Sequence, residues 1–385
     1  MSNKDQEIKE EAPVAIEDLS NPVVVDSYNA AGIIANNAIK HVISKCVVGA
    51  LVVDICQYGD DFIEAEAAKT FTKRKNLEKG IAFPTCVSVN NCVGHFSPLK
   101  GNTRTLKQGD VVKIDLGCHI DGYIAVGAHT IIIGNTSAES MTGKVADAIC
   151  AAHYALEAAL RMIRPGKTSN EVTQVIEKIS DMYGVTSVSG ILSHELKRFI
   201  IDGEKVIFSK NEPSQKIQTY EFQENEVYCI DIVMSTGEGK AREEADRPTI
   251  YRRNLDSTYK LKSKASRDFK DQIVKRYSAL PFPLRNFDEK VSKLGLVELV
   301  EHQVLAAYPV LFDRSGCEVV QFKTTVLVLP NGNHKLIGTE FPLPFVRSEF
   351  SVTDDAIKAL IASPLKINKK AAKKASATTI DVKMQ

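Results

Sequence analysis

Two aspartates and two histidines stand in settings that could hold a divalent cation. Asp115 closes Val111-Val112-Lys113-Ile114-Asp115, and Asp231 closes Val227-Tyr228-Cys229-Ile230-Asp231. Each run has the alternating, β-branched character of a strand ending in an acid. His95 precedes the first in Asn90-Asn91-Cys92-Val93-Gly94-His95, and His194 precedes the second in Ser189-Gly190-Ile191-Leu192-Ser193-His194. Carboxylate oxygens and imidazole nitrogens on rigid strands suit hard or borderline divalent metals. A two-metal hydrolase uses five or six such ligands, because cations about 3.5–4 Å apart need bridging carboxylates. This chain offers four, and a lone strand aspartate is more often a turn or salt-bridge residue.

The elements that must position these residues repeat. A helical pattern starting at Asn21 or Asp26 carries Tyr28, Ile33, Ile34, Ala38, Val42 and Ile43. A second follows Gly49 through Asp54, Ile55, Phe62, Ile63 and Ala67. An alanine-rich helix is predicted over residues 145–163 and stopped by Pro165-Gly166, and Thr168-Ser169-Asn170 caps another that runs through Ile179. Gly49 lies 66 residues before Asp115, and Gly166 lies 65 before Asp231. That register predicts a duplicated helix–helix–strand unit and an α+β domain with a pseudo-twofold axis. Asp115 and Asp231 would then occupy equivalent places in one shared cleft.

Composition limits the alternatives. The chain has 385 residues, 44% of them hydrophobic and 25% charged, with 49 basic against 48 acidic side chains. Those are the values of a folded globular protein. No stretch approaches the roughly 20 apolar residues of a membrane span, and the polar opening MSNKDQEIKEEAP has no apolar signal core. The eight cysteines are scattered, without a C-x-x-C, and read as reduced thiols of a cytosolic or nuclear protein. The near-zero net charge is unevenly spread. Residues 1–20 carry six acids against two lysines, and residues 366–385 carry six lysines against one acid. Residues 251–276 carry nine basic side chains against three acids. Residues 1–20 read as an acidic disordered tail and residues 356–385 as a Lys-rich tail whose low-complexity KINKKAAKKASATT reads as disordered, around a domain over 21–355.

Four segments, FPTCVSVNNCVGHFSP, VVKIDLGCHIDGY, NEVYCIDIVMSTGEGK and VVQFKTTVLVLPNG, resemble signature segments of type 2 methionine aminopeptidases and their pita-bread relatives in peptidase family M24. SHELKRFIIDGEKVI, PTIYRRNLDSTYKLKSKASRDF and ALPFPLRNF are similar to the proliferation-associated, ErbB-receptor-binding branch, which includes a yeast curved-DNA-binding protein. The resemblance covers about residues 20–350 and implies the pita-bread fold, with halves at about 21–145 and 146–350 and a basic insert at about 240–290. It also implies five metal-ligand positions. Asp115 and His194 match theirs, and Asp231 replaces a longer glutamate. Val126 and Lys323 stand where carboxylates belong, and His95 matches the substrate-side histidine. Neighbouring Glu318 and His129 have the wrong strand parity to substitute. A lysine beside two aspartates neutralises them as a metal otherwise would. The implied reading is a non-peptidase with no cofactor and no bound metal, and an ion pair from Lys323 to Asp115 or Asp231.

The resemblance further implies curved DNA, RNA or the large ribosomal subunit as partners, protein partners besides, no membrane, a monomeric state, and a place in nucleus, nucleolus and cytoplasm. The basic residues that would meet phosphate fall in three clusters. They are Lys69, Lys73, Arg74 and Lys75 after the second helix; Arg252, Arg253, Lys260, Lys262 and Lys264 in the insert; and Lys366, Lys369, Lys370, Lys373 and Lys374 in the tail. Tyr251, Tyr259 and Phe269, interleaved with the second cluster, are expected to offer stacking faces. The alternatives are an active methionine aminopeptidase and a pure protein-interaction scaffold. The segment Ile357-Lys358-Ala359-Leu360-Ile361 departs from the L-x-x-L-L element of the animal branch and reads as a short amphipathic helix packed on the body.

Overall fold

The computed structural model describes residues 17–134, 141–211, 218–338 and 345–366. Helix α1, Pro22–Lys45, starts where the Asn21 side chain accepts the Val23 amide and proline supplies the first helical residue. Helix α2 follows at Val52–Lys69. Then come β1, Lys79–Val89, the short β2, Cys92–Gly94, and the hairpin of β3, Val111–Ile120, with β4, Tyr123–Ile132. Asp121 and Gly122 form its two-residue turn with φ of 55° and 79°, the left-handed geometry that such a turn requires. The second half opens with α3, Lys144–Met162, and α4, Ser169–Met182, which starts on a capping box between Thr168 and Glu171. After these come β5, Thr186–Ser187, β6, Leu192–Glu195, β7, Val206–Phe208, β8, Val227–Ser235, and β9, Arg242–Glu243. The strands β3 and β8 run on past Asp115 and Asp231, so both acids sit in mid-strand and not at strand ends.

A packed unit interrupts the second half, and it runs over residues 250–308 and not the expected 240–290, because its last strand closes the small sheet on its first. It comprises β10, Ile250–Arg253, α5, Lys264–Tyr277, β11, Phe282–Pro283, α6, Glu289–Glu301, and β12, Leu305–Tyr308. Strand β10 pairs with both β11 and β12, and α5 packs on α6. The chain then returns through β13, Leu311–Phe312, β14, Val319–Leu329, and β15, Gly332–Lys335. Helix α7, Asp355–Ala362, closes the fold, with Ile357 buried and the helix resting on α3, as its amphipathic pattern predicts.

Among the described residues, the main sheet has nine strands, with the path β1-β3-β4-β14-β8-β6-β7. Outward from the β4–β14 junction the two sides mirror each other, β3 then β1 on one side and β8 then β6 on the other. Helix α1 packs on β3 and β4, and α3 packs on β8 and β14. This is the pseudo-twofold α+β architecture that the repeat predicts. Strand parity sets what each face carries. Ile114, Leu116 and Cys118 join the core beneath α1 and α2, while Ile230, Ile232, Val320 and Phe322 join that beneath α3 and α4. Asp115, Asp231 and Lys323 have the other parity and point away from the helices. His129 shares the helix side of β4 with Ala125, which lies in the core beneath α1 and α2.

The inserted unit is tied to the body by burial and by one desolvated ion pair. Phe269, Ile273, Tyr277, Phe282 and Leu299 share a core with Ile63 and Ala67 of α2. Arg285, fully enclosed, pairs with Asp60 of α2 and also donates to Ser97 and to the Cys56 carbonyl. The expectation of free stacking faces is corrected here. Tyr251 and Phe269 are buried in this core, and Tyr259 already stacks on His302 with ring centroids 3.8 Å apart. All eight cysteines are free thiols. No helix among the described residues is long and apolar enough to cross a membrane. Residues 1–16 of the acidic segment, and Lys369, Lys370, Lys373 and Lys374, lie outside the described residues. Removing one partner of a buried pair strands the other charge, so Asp60→Ala should lower unfolding stability by about 3–5 kcal/mol. Urea unfolding at pH 7 measures this, and a loss below about 1 kcal/mol, the range of surface pairs, would show that the pair anchors nothing.

Candidate functional site

One transverse row of the sheet carries the site. Asp115 on β3 pairs with Ala128 on β4, Ala128 with Lys323 on β14, and Lys323 with Asp231 on β8. Two acids therefore flank one lysine across the pseudo-twofold axis. Val126 is one pleat from Ala128 on the same face, where the resemblance implies an acid. Its amide donates to Thr325 Oγ1 at 2.9 Å, and its side chain lines the cleft. His194, opposite Cys229 on the next pleat, also lines the cleft, as does His95. The cleft has a volume of about 270 Å³, and Phe83, Ile191 and Ile201 supply much of its apolar wall.

The Lys323 ammonium lies 2.5 Å from Asp115 Oδ2 and 3.0 Å from Asp231 Oδ2. Gln321, one pleat along β14, donates its amide to both Asp231 oxygens at 2.9 and 3.1 Å. The three charged side chains are 7–11% exposed, so the cluster is desolvated. Burial works against the Lys323 ammonium, but Asp115 and Asp231 more than offset it and hold its pKa well above the ordinary lysine value. Burial pushes the Asp115 carboxyl up; Lys323 pulls it back only in part, and Asp231 adds to the rise. Asp115 Oδ1 is buried without a hydrogen-bond partner.

Both histidines are neutral at pH 7, because burial lowers their pKa values below the usual 6.5. His95 adopts a left-handed backbone, φ 64°, unusual for a residue with a Cβ. Its Nδ1 is 2.9 Å from the Pro309 carbonyl, which can only accept, so Nδ1 carries the proton and Nε2 is left with a lone pair. The His95 ring meets Phe83 and Tyr308 at centroid distances of 5.8 and 5.4 Å.

These residues do not fit a divalent metal pair. The ammonium stands between the carboxylates that would bridge the ions, and Val126 has no donor. Among the described residues, no group of three or more His, Cys, Asp or Glu side chains is arranged to hold a metal ion. The structure thus brings together His95, Asp115, Val126, His194, Asp231 and Lys323, with Lys323 bonded to both acids where either one was expected. Three participants are absent from the sequence reading. Gln321 could have been found, since it has the parity of Lys323 two residues away. Tyr308 reaches the cleft from a distant segment and Asp202 from the connection after His194, and neither leaves a local signal.

The basic residues are more dispersed. Lys69 is exposed and pairs with Glu66 at 2.7 Å, Arg74 lies over the Phe71 ring, and Lys73 and Lys75 are exposed. Lys260, Lys262 and Lys264 are exposed, and Arg267 beside them is too. Arg252 is held by Asp202 at 3.0 Å, and Arg253 donates to the Ser278 carbonyl at 2.9 Å. Lys366, the last described residue, bridges to Gly332. The first and second clusters sit on neighbouring elements, since Arg276 of α5 pairs with Glu64 of α2 at 2.9 Å.

Lys323→Met should leave two buried carboxylates facing each other and cost about 3–5 kcal/mol at pH 8. Without the ammonium, the Asp115 carboxyl, already pushed up by burial, loses the charge that pulls it back, so the folded variant takes up a proton as the pH falls and regains stability. Lys323 itself, with a raised folded-state pKa, contributes fully below the unfolded lysine value and loses its contribution only in strong alkali. The gap between variant and parent should therefore narrow from pH 8 to pH 5 in urea titrations. A gap independent of pH would mean that the carboxylates do not need the ammonium.

Comparison with known proteins agrees with this architecture. The profile of metallopeptidase family M24 matches residues 26–247. The chain is 43% identical over 356 residues to "ErbB-3 binding protein 1" of Solanum tuberosum, covering 92% of this chain and 91% of that one. It is 41% identical over 367 residues to "curved DNA-binding protein" of Schizosaccharomyces pombe, covering 93% and 95%. Among solved structures, that of a thermophilic Arx1 superposes with a TM-score of 0.83 at 27% identity, covering 90% of this chain and 99% of that one. With the helix–helix–strand repeat, the pita-bread sheet and the family profile in agreement, this chain belongs to metallopeptidase family M24.

Proposed function

We propose that this protein is a non-catalytic member of its family that binds nucleic acid, as curved duplex DNA or as RNA, including RNA of the large ribosomal subunit. The observation that carries the non-catalytic part is the Lys323 ammonium seated between Asp115 and Asp231. Peptide hydrolysis in a two-metal site depends on a cation that lowers the pKa of bound water. An ammonium neutralises the carboxylates but polarises no water in that way. The binding part is supported by Lys260, Lys262, Lys264 and Arg267, exposed on the inserted unit, and by Lys73 and Lys75, exposed after α2. The name of the fission-yeast relative, a curved DNA-binding protein, points the same way. With Tyr251 and Phe269 buried, recognition works through charge and shape and not through base stacking. A nuclear and cytoplasmic monomer is the corresponding cellular form.

The name of the potato relative, an ErbB-3 binding protein, supports a second reading as a protein-interaction scaffold. Salt titration separates the two. Each phosphate contact contributes about 0.9 to the slope of log affinity against log salt on duplex. Removing residues 367–385, with Lys369, Lys370, Lys373 and Lys374, should flatten the slope by about 3–4 units. Changing Lys260, Lys262 and Lys264 to glutamine should flatten it by about 2–3 units and weaken all sequences alike. Equal slopes for parent and both variants would favour the scaffold. In a parallel assay, the parent should not cleave a Met-initiated peptide with added divalent metal. Val126→Asp with Lys323→Glu should raise metal affinity, read by calorimetry, and turnover by the parent would overturn the non-catalytic part.

A further inference from the structure

The cleft and the basic insert share a wall, and one carboxylate joins them. The connection from β6 to β7, residues 196–205, folds over one side of the cleft and lines it with Ile201, Asp202 and Gly203. Both ends of it are fixed to the body: Ile201 is buried, and the Gly203 amide donates to the Glu195 carbonyl at 3.1 Å, which leaves the tip around Asp202 as the part that can move. The Phe199 amide donates to the Gly122 carbonyl at 2.8 Å, and Arg198 pairs with Asp121 at 2.9 Å. The tip around Asp202 faces the insert. There Arg252 Nε of β10 lies 3.0 Å from Asp202 Oδ2, and the Tyr308 hydroxyl of β12 donates to the same oxygen at 2.6 Å. Among the described residues, these are the polar links from the tip to the insert, and both end on Asp202. Tyr308 is itself cleft wall, packed edge-on against His95 and Phe83. Asp202 and Arg252 side chains are 39% and 36% exposed, so solvent and solutes reach the pair. The guanidinium has five N–H donors, and the contact through Nε leaves others for an anion arriving from outside.

We propose that Asp202 is a latch: it holds the 196–205 connection closed over the cleft by gripping Arg252 and Tyr308, and an anionic phosphate that engages Arg252 releases it. The ligand of the insert thereby controls access to the cleft. The latch rests on the geometry alone, whereas phosphate as the releasing group rests on the nucleic-acid reading. Linkage makes the effect reciprocal, so a cleft already unlatched presents an uncommitted Arg252 and binds phosphate more tightly. An exposed ion pair is worth about 0.2–1 kcal/mol, which corresponds to at most about a fivefold change in affinity.

The chain contains no tryptophan, so Ile200→Trp, at a position 44% exposed, places a single indole on the connection. The full chain with this substitution is titrated with a labelled RNA duplex, and acrylamide quenching and anisotropy are read in the same samples. Bound RNA should raise the quenching. Asp202→Asn should show raised quenching without RNA, no further rise with it, and an RNA affinity about two- to fivefold tighter. Glu204→Gln, which removes the same charge from an exposed neighbour, should show neither raised quenching nor that gain. Hydrogen exchange of residues 196–206 in the unsubstituted chain gives a second measure of opening and should move in parallel. Asp202→Asn with the quenching and exchange of the parent overturns the latch. RNA that binds without changing either readout overturns release by phosphate. RNA that fails to bind at all overturns the RNA form of the nucleic-acid reading and release by RNA with it, while Asp202→Asn still decides the latch.

Discussion

The fold is organised around a charge problem at its centre. Two carboxylates from equivalent strands point into the same desolvated space across the pseudo-twofold axis. Such a pair destabilises a protein unless a cation lies between them. Lys323 supplies that cation from the strand between Asp115 and Asp231, at 2.5 and 3.0 Å. Because Lys323 and both acids occupy one row, the pairing also fixes the register of β3, β4, β14 and β8 relative to one another. A one-residue slip would turn the ammonium to the helix side and leave both acids unpaired. Gln321 reinforces the arrangement by binding Asp231, the acid farther from the ammonium.

The same substitution separates scaffold from chemistry. A metal ion and a lysine both neutralise carboxylates, but an ammonium has no open coordination position for water. The cleft around the carboxylates is lined by His95 and His194 and walled by Phe83 and Tyr308. On the proposed non-catalytic reading, the fold serves as a scaffold without metal chemistry.

The inserted unit is structurally part of that cleft. Its last strand supplies Tyr308, and the residue after it, Pro309, accepts the His95 imidazole. Its helices share a core with α2, and the enclosed pair of Arg285 and Asp60 holds the two together. Lys264 opens α5, and Lys260 and Lys262 lie on the connection that leads into it, which the Lys262 amide ties to Glu298 of α6 at 2.6 Å.

Periodicity and capping by themselves determined the four main helices and the duplicated unit, because each rests on local spacing and on caps such as Asn21 and Thr168. Strand parity likewise determined that Glu318 and His129 cannot take the places of Lys323 and Val126. Resemblance to the family, not spacing, singled out Val126 and Lys323, since neither residue type announces a metal site. Only the tertiary structure decided that Lys323 reaches both acids, that Gln321 joins them, and that Asp202 and Tyr308 meet at the cleft mouth. It also decided against stacking by Tyr251 and Phe269. Apolar faces and charges alternate along 251–276 in a way that reads equally as a nucleic-acid surface or as an amphipathic helix seated on a core. The choice depends on α2 and α6, which approach this segment from about 200 residues upstream and about 20 downstream. Contacts between segments so far apart in the chain leave no periodic trace, so they became visible only when the chain was folded.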